Sequence, residues 1–104
     1  MIVEHRTYKF HPGGLPAFMT LYTPAIRTLQ IGILGNLIGY FVTEIGPLNQ
    51  TIHLWGYDSY EERARRRAEL TANEEWRAFF SAILPLLAEQ ETRLLNPTPF
   101  SPIR

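Results

Sequence analysis

Apolar and polar residues alternate along four stretches of the chain, as they do in β-strands. The first covers residues 2–10, and two more, 37–44 and 50–57, flank a turn signal at 46–49. β-branched and aromatic residues are frequent in these stretches, which favours strands over helices. A last strand is predicted over residues 89–95.

Between the first two strands, apolar residues recur at the spacing of an amphipathic helix. This pattern predicts a helix over residues 15–31. Pro24 lacks a backbone donor, so we expect it to kink or split the helix near Thr23. Thr23 would then cap the second part.

Two more helices are predicted between the third and the last strand. The first starts at Asp58 and runs to about Leu70, with Ser59 and Glu62 at the spacing of a capping box. The next begins after Asn73, a favourable N-cap residue, and Pro85 should end or bend it. The element order is therefore strand, helix, strand, strand, helix pair, strand.

This order predicts an α+β fold of the ferredoxin-like βαββαβ type, a four-stranded antiparallel sheet with helices on one face. A chain of 104 residues has the size of one domain, here 1–104, and residues 96–104 form an extended Pro-rich arm. The other face of the sheet carries aromatic residues and would be bare. We therefore expect a homodimer that closes sheet against sheet.

Composition narrows the possible partners. Ten acidic and ten basic residues cancel, so a general attraction to nucleic acid or to an anionic membrane is not indicated. The absence of cysteine excludes disulfides and thiolate chemistry. No signal peptide or apolar run of membrane-spanning length is found, and we expect a soluble cytoplasmic protein.

The hairpin formed by the second and third strands holds most of the candidate chemistry. If Gly46 pairs with Asn49 across the turn, Glu44 and His53 become diagonal neighbours on one face. A carboxylate beside an imidazole suits proton abstraction from an acidic carbon, so these two are the candidate catalytic residues. The predicted pairs on this face are Glu44 with Thr51, Val42 with His53 and Tyr40 with Trp55.

A pocket for a small organic ligand is predicted around this pair. Arg6 and Asn49 would hold an anionic or carbonyl oxygen, and three aromatic side chains would form its apolar wall. Such a Glu-His-Arg network is equally consistent with groups that only satisfy each other at a subunit interface. The candidate ligand-binding residues are Arg6, Tyr8, Tyr40, Asn49 and Trp55.

Two further clusters have simpler explanations. Glu4 and Arg6, on the same predicted face of the first strand, are typical of a structural ion pair. The arginines within 63–67 follow Glu61 and Glu62 by one turn and predict ion pairs along a solvated helix face, although guanidinium groups also bind phosphate or carboxylate.

No metal and no cofactor is expected. His5 could join His53 and Glu44 as a ligand set, but strand alternation places His5 on the face opposite Glu4 and Arg6.

Three segments together resemble the NIPSNAP family: EHRTYKFHPGGL, the block GY-x-x-TEIGPLNQ-x-x-HLW-x-YDS-x-EERARRR, and the ending NPTPFSPIR. Two positions depart from the family pattern, His5 and Phe41. The matching motif positions are Glu4, Arg6, Thr7, Tyr8, Tyr40, Thr43, Glu44, Gly46, Asn49, Gln50, His53, Trp55 and Tyr57.

The resemblance implies a dimeric α+β barrel, in a superfamily that includes cofactor-free oxygenases and haem-degrading enzymes. It implies no particular reaction. Three functions therefore stay open: binding of a small organic ligand, cofactor-free oxygenase or isomerase chemistry with the Glu44–His53 pair, and a non-catalytic protein-interaction module.

Overall fold

The computed structural model describes residues 1–104, and its elements follow the predicted order. They are β1 (Ile2–Phe10), α1 (Gly14–Leu21), α2 (Pro24–Leu34), β2 (Asn36–Val42), β3 (Gln50–Tyr57), α3 (Tyr60–Ala72), α4 (Glu74–Ile83), a short 3-10 turn (Leu84–Leu86) and β4 (Leu87–Leu95).

The four strands form one sheet in the order β2-β3-β1-β4, and every neighbouring pair is antiparallel. With the helices on one face, this is the ferredoxin-like α+β arrangement, so the predicted fold class is confirmed. β1 and β3 are the central strands. The side chains that these two strands direct toward the helices therefore lie in the middle of the molecule.

The helix after β1 divides at Pro24, as predicted. α1 ends at Leu21 and α2 begins at Pro24, where the missing donor of proline is harmless in a first turn. The Thr23 hydroxyl caps α2 by accepting a hydrogen bond of 3.3 Å from the amide of Ile26. The helical segment extends to Leu34, slightly beyond the predicted end.

The two later helices begin at the predicted caps. The Ser59 hydroxyl accepts a hydrogen bond from the amide of Glu62 at 3.1 Å, and the Asn73 side chain accepts one from the amide of Trp76 at 2.9 Å. Pro85 lies in the short 3-10 turn that follows α4. Each cap contributes about 1 kcal/mol to the stability of its helix.

The core lies between the sheet and the helices. Alternate residues of β1 and β3 point inward, and their aromatic rings pack against apolar side chains of all four helices. Burying each of these large side chains contributes about 1.5–3 kcal/mol. The cluster comprises Tyr8, Phe10, Phe18, Tyr22, Leu34, Trp55, Tyr57, Leu70, Trp76, Phe79 and Ile83.

The predicted register of the β2–β3 hairpin is wrong by two residues. Tyr40 lies opposite His53 and Val42 lies opposite Thr51, and β2 ends at Val42. The connecting loop, residues 43–49, is therefore longer than a tight turn. An even slip keeps every side chain on its predicted face, but it leaves Glu44 outside the strand.

The residues of the loop explain why it is longer than a tight turn. Pro47 cannot donate a ladder hydrogen bond, and Gly46 and Asn49 adopt positive φ angles of 121° and 62°. The carbonyl of Asn49 accepts a hydrogen bond of 2.8 Å from the amide of Phe10, which ties the loop to the end of β1. The turn is thus anchored to the neighbouring strand rather than closed between Gly46 and Asn49.

None of the helices combines the length and the apolar character needed to cross a membrane. The predicted cytoplasmic location stays a prediction.

Candidate functional site

A fully buried carboxylate lies at the centre of the inner sheet face. Glu4, on β1, accepts a hydrogen bond of 2.5 Å from Nε of Arg63 and another from Arg67. The hydroxyl of Tyr57 lies 3.4 Å from the same carboxylate, and Arg6 lies 3.7 Å away. Charge-assisted hydrogen bonds of this kind are what makes a buried carboxylate tolerable.

Helix α3 delivers two of these arginines because they are four residues apart. Side chains at that spacing lie on one face of a helix, and here the face of Arg63 and Arg67 meets β1. Arg65 and Arg66 instead bond to Glu62, at 2.7 Å in each case. The predicted ion pairs along the helix therefore hold for these two arginines only.

Sequence reasoning missed the contact between α3 and Glu4. Two signals were available: the spacing of Arg63 and Arg67, and the position of Glu4 on the same face as Tyr8 of β1. Neither signal specifies which helix crosses which strand. The nearby Glu61 and Glu62 offered a local partner that explained the arginines equally well.

The cluster carries more positive than negative charge. Three guanidinium groups, of Arg6, Arg63 and Arg67, surround the single carboxylate of Glu4, which leaves an excess of two positive charges. The Nε atoms of Arg6 and Arg67 are buried and have no hydrogen-bond partner. Buried donors without partners are uncommon in proteins.

His53 lies next to this cluster and is completely buried. Its ring stacks on Tyr40, with the centroids 4.5 Å apart, and meets the edge of Tyr8 at 5.0 Å. Burial, reinforced by the positive charges of Arg6 and Arg67, lowers the pKa of His53 to about 3. The imidazole is therefore neutral at physiological pH.

The hydrogen bonding of His53 indicates which tautomer is present. Nδ1 accepts a hydrogen bond of 2.7 Å from the indole of Trp55, so the proton of the neutral ring is assigned to Nε2. Nε2 is buried and has no partner. His53 thus presents a donor, and a neutral imidazole with this low pKa is a poor base.

The structure does not bring Glu44 beside His53. Glu44 is exposed in loop 43–49, beyond the end of β2, whereas His53 lies within the core. Besides burial, the side chains that lower the pKa of His53 are Arg6, Arg67 and His5, and Glu44 is not among them. The predicted diagonal contact is therefore wrong, because it depended on the register that the loop displaces by two residues.

The predicted ligand-binding residues separate into three groups. Arg6 and Tyr8 line a cavity under the helices. Tyr40 and Trp55 do not line this cavity and contact His53, which Tyr8 also touches. Asn49 lies in the loop, where its backbone carbonyl bonds to β1.

This cavity opens between β1 and the helices α3 and α4, and its volume is about 430 Å³. That size lies within the range of small-molecule sites. Its walls combine aromatic and aliphatic surface with three arginines. The lining residues are Arg6, Tyr8, Arg67, Leu70, Thr71, Trp76, Arg77, Phe80 and Ser81.

A second cavity of similar volume, about 420 Å³, lies where Met1 approaches the ends of α2 and β3. Its walls are mainly polar, and both Asp58 and Glu62 offset Arg66 and Arg104 there. No buried polar atom without a partner lies among its residues. The cavity under α3 and α4 is therefore the better candidate site, because the uncompensated charge lies there.

The three histidines do not form a metal site with acidic residues. His5 pairs with Leu54 and Arg93 across the sheet and lies on the outer face, opposite His53. No group of three or more potential metal ligands is present.

Fold and site together define a ferredoxin-like α+β protein with a buried carboxylate–arginine cluster beside a ligand-sized pocket. The family model of NIPSNAP matches residues 3–102. The chain therefore belongs to the NIPSNAP family, and the predicted resemblance is confirmed.

Protein NipSnap homolog 2 from Homo sapiens is 30% identical over 103 residues, which cover 99% of this chain and 35% of that protein. The chain thus spans about a third of the length of this curated relative. A NIPSNAP family protein from Agrobacterium tumefaciens is 47% identical in its crystal structure, with a TM-score of 0.94 and coverage of 99% of this chain and 98% of that one.

A more distant similarity extends to a putative antibiotic biosynthesis monooxygenase from Nitrosomonas europaea. It has a TM-score of 0.70 at 11% identity and covers 93% of this chain and 98% of that one. Similarity at this level of identity shows the fold alone.

Proposed function

We propose that this protein binds a small organic molecule in the cavity between β1 and the helices α3 and α4. The observation that carries the proposal is the composition of the cavity wall. Leu70, Trp76 and Phe80 provide apolar surface, and Arg6 and Tyr8 provide polar groups on a rigid central strand. Largely apolar pockets with a few convergent polar groups are typical of small-molecule sites.

The geometry gives less support to oxygenase or isomerase chemistry with a Glu44–His53 pair. Glu44 is exposed in a loop, and the buried His53 is a neutral donor rather than a base. A general base must reach the proton that it removes, and no carboxylate is hydrogen-bonded to His53. Ligand binding without turnover is therefore the function that we propose.

The binding proposal is tested with two fluorescent probes of the same ring system, neutral phenylnaphthylamine and its anionic derivative anilinonaphthalene sulfonate. Ser81→Trp would fill the cavity, because Ser81 lines it from α4. Ala82→Trp is the matched control, since Ala82 is the next residue of the helix, is exposed and does not line the cavity.

We expect at least one probe to bind wild-type protein and Ala82→Trp with similar affinity, and to lose about tenfold or more in Ser81→Trp. Fluorescence titration measures all three affinities. If neither probe distinguishes Ser81→Trp from Ala82→Trp, the cavity is not a binding site and the proposal fails.

We also propose that the protein forms a homodimer through the outer face of the sheet. Two large hydrophobic side chains of this face, Phe41 and Leu95, are 55% and 42% exposed on the single chain. A second copy would cover this apolar surface, and a C2 contact is the commonest way to do so.

Light scattering tests the dimer. Wild-type protein should have a mass of about 24 kDa, twice the 12.0 kDa of one chain. Phe41→Glu, on the outer face, should shift the mass toward 12.0 kDa, whereas Tyr60→Glu, an exposed aromatic on α3, should leave it unchanged. A wild-type monomer would contradict the proposal.

A further inference from the structure

We infer that the ligand of the cavity between β1 and α3–α4 is a small organic anion, whose acidic group binds to Arg6 and Arg67 and whose apolar body lies against α4. This inference rests on the proposed binding function and specifies the chemical class of the ligand. Its evidence is the charge balance of the cavity, the arginine side chains that line it and the nature of its remaining walls.

The charge balance comes first. Glu4 is the only carboxylate in the cluster, and its two oxygens already accept hydrogen bonds from Arg63 and Arg67. Arg6 is 3.7 Å from Glu4, too far for a hydrogen bond. Arg77 also lines the cavity and takes part in no salt bridge. The positive charge of the cavity is thus only partly neutralised by the protein itself.

The two arginines of the cluster that line the cavity indicate where an anion would bind. Nε of Arg6 and Nε of Arg67 are both buried without a partner, and both residues line the cavity. These Nε atoms are closed off from water, but each side chain is partly exposed, 16% for Arg6 and 17% for Arg67. An anion in the cavity would therefore accept hydrogen bonds from the exposed part of each guanidinium group. Guanidinium groups match the geometry of planar oxyanions, and the resulting hydrogen bonds are strong.

The remaining wall specifies the rest of the ligand. Leu70, Trp76 and Phe80 form an apolar surface that an inorganic ion would leave unused. The cavity volume of about 430 Å³ is also much larger than a single oxyanion. An acid with an aromatic or aliphatic body would use both parts of the wall.

The two naphthalene probes test this inference because they differ only in the sulfonate. Wild-type protein should bind the sulfonate at least about tenfold more tightly than the neutral probe. Arg6→Gln should remove most of this preference, because it takes away one guanidinium group that lines the cavity and leaves Glu4 paired with Arg63 and Arg67. Added salt should weaken the binding of the sulfonate probe more than the binding of the neutral probe.

Arg65→Gln is the matched control. Like Arg6→Gln, Arg65→Gln removes one positive charge from the protein. Arg65, however, lies on α3, bonds only to Glu62 and does not line the cavity. The preference for the sulfonate should persist in this variant. Arg77→Gln is a second test variant that leaves the buried cluster intact, and it should reduce the preference by a smaller factor.

The outcomes separate the two proposals. Suppose that Ser81→Trp loses probe binding but that wild-type protein binds both probes with equal affinity. This result would support the proposed binding cavity and overturn the inference that its ligand is an anion. A preference that survives in both Arg6→Gln and Arg77→Gln would overturn it as well. If neither probe responds to Ser81→Trp, the proposed binding function itself fails.

Discussion

Two regions of this protein carry acidic residues in contrasting surroundings. In loop 43–49, Glu44 is exposed and Ile45 is 94% exposed. On β1, Glu4 is fully buried and bonded to arginines that follow it by 59 and 63 residues in the chain. The loop is conspicuous in the sequence, whereas the buried cluster exists only after the helices have packed on the sheet.

The contrast shows why polar residues in a turn do not by themselves predict a functional site. Gly46, Pro47 and Asn49 serve the backbone geometry of the loop, with positive φ at the first and the last. Glu4, by contrast, is in a place where an unpaired charge would be very unfavourable, so its partners are obligatory. The contributions of Glu4 and Glu44 to the free energy of unfolding should therefore differ greatly.

The largest expected effect is that of Glu4→Gln. This change leaves the buried arginines without their carboxylate, and we expect the free energy of unfolding to fall by about 3–5 kcal/mol. Urea denaturation followed by circular dichroism measures the difference. Glu44→Gln, in the exposed loop, should change the same quantity by less than about 0.5 kcal/mol. If the free energy of unfolding falls by similar amounts in the two variants, the proposed difference between the two regions is wrong.

A smaller effect, about 2 kcal/mol between pH 6.5 and 5, is expected from the titration of His53. Its pKa is about 3 in the folded protein and about 6.5 in an unfolded chain. The unfolded state therefore takes up a proton first as the pH falls. Stability from the neutral ring is fully present above pH 6.5 and is lost between about pH 6.5 and 3, at about 1.4 kcal/mol per pH unit.

His53→Phe isolates this contribution. The phenyl ring retains the stack on Tyr40 but cannot be protonated. Between pH 6.5 and 5, the free energy of unfolding of the variant should therefore fall by about 2 kcal/mol less than that of wild type. Its missing hydrogen bond to Trp55 lowers stability by the same amount at every pH. Denaturation curves at several pH values give the slope, and parallel curves for the two proteins would show that His53 does not titrate as inferred.

The smallest expected effect concerns the loop itself. Asn49 has a φ of 62°, which alanine adopts at a cost of about 1–2 kcal/mol and glycine adopts freely. Asn49→Ala should therefore destabilise the protein by about 1 kcal/mol, and Asn49→Gly should be close to neutral. Neither variant should alter probe binding in the cavity. Weaker probe binding in Asn49→Gly would indicate that the amide acts on the ligand and not only on the loop.

Local structure was predictable because its causes act over a few residues. Thr23, Ser59 and Asn73 cap their helices as expected, since each side chain bonds to an amide three residues further along. Strand alternation placed Glu4 and Arg6 correctly on one face of β1.

The hairpin register was not predictable in the same way. Both registers keep the same residues inside, because they differ by two, so the hydrophobic pattern does not distinguish them. The bond between Phe10 and Asn49 supports the observed register, and it depends on β1 being in place. Glu44 is therefore a diagonal neighbour of His53 in the predicted register, whereas in the structure it lies beyond the end of β2, in the exposed loop.

The sequence by itself determined the order of strands and helices, the caps, the inward face of β1 and the family. Only the tertiary structure decided that Arg63 and Arg67 bond to Glu4 rather than to acidic residues of their own helix. Helix propensity and capping are local, so they can be read from the chain. The partner of a long cationic side chain depends on which buried carboxylate lies under its helix, and desolvation makes that distant contact obligatory once the helix has packed.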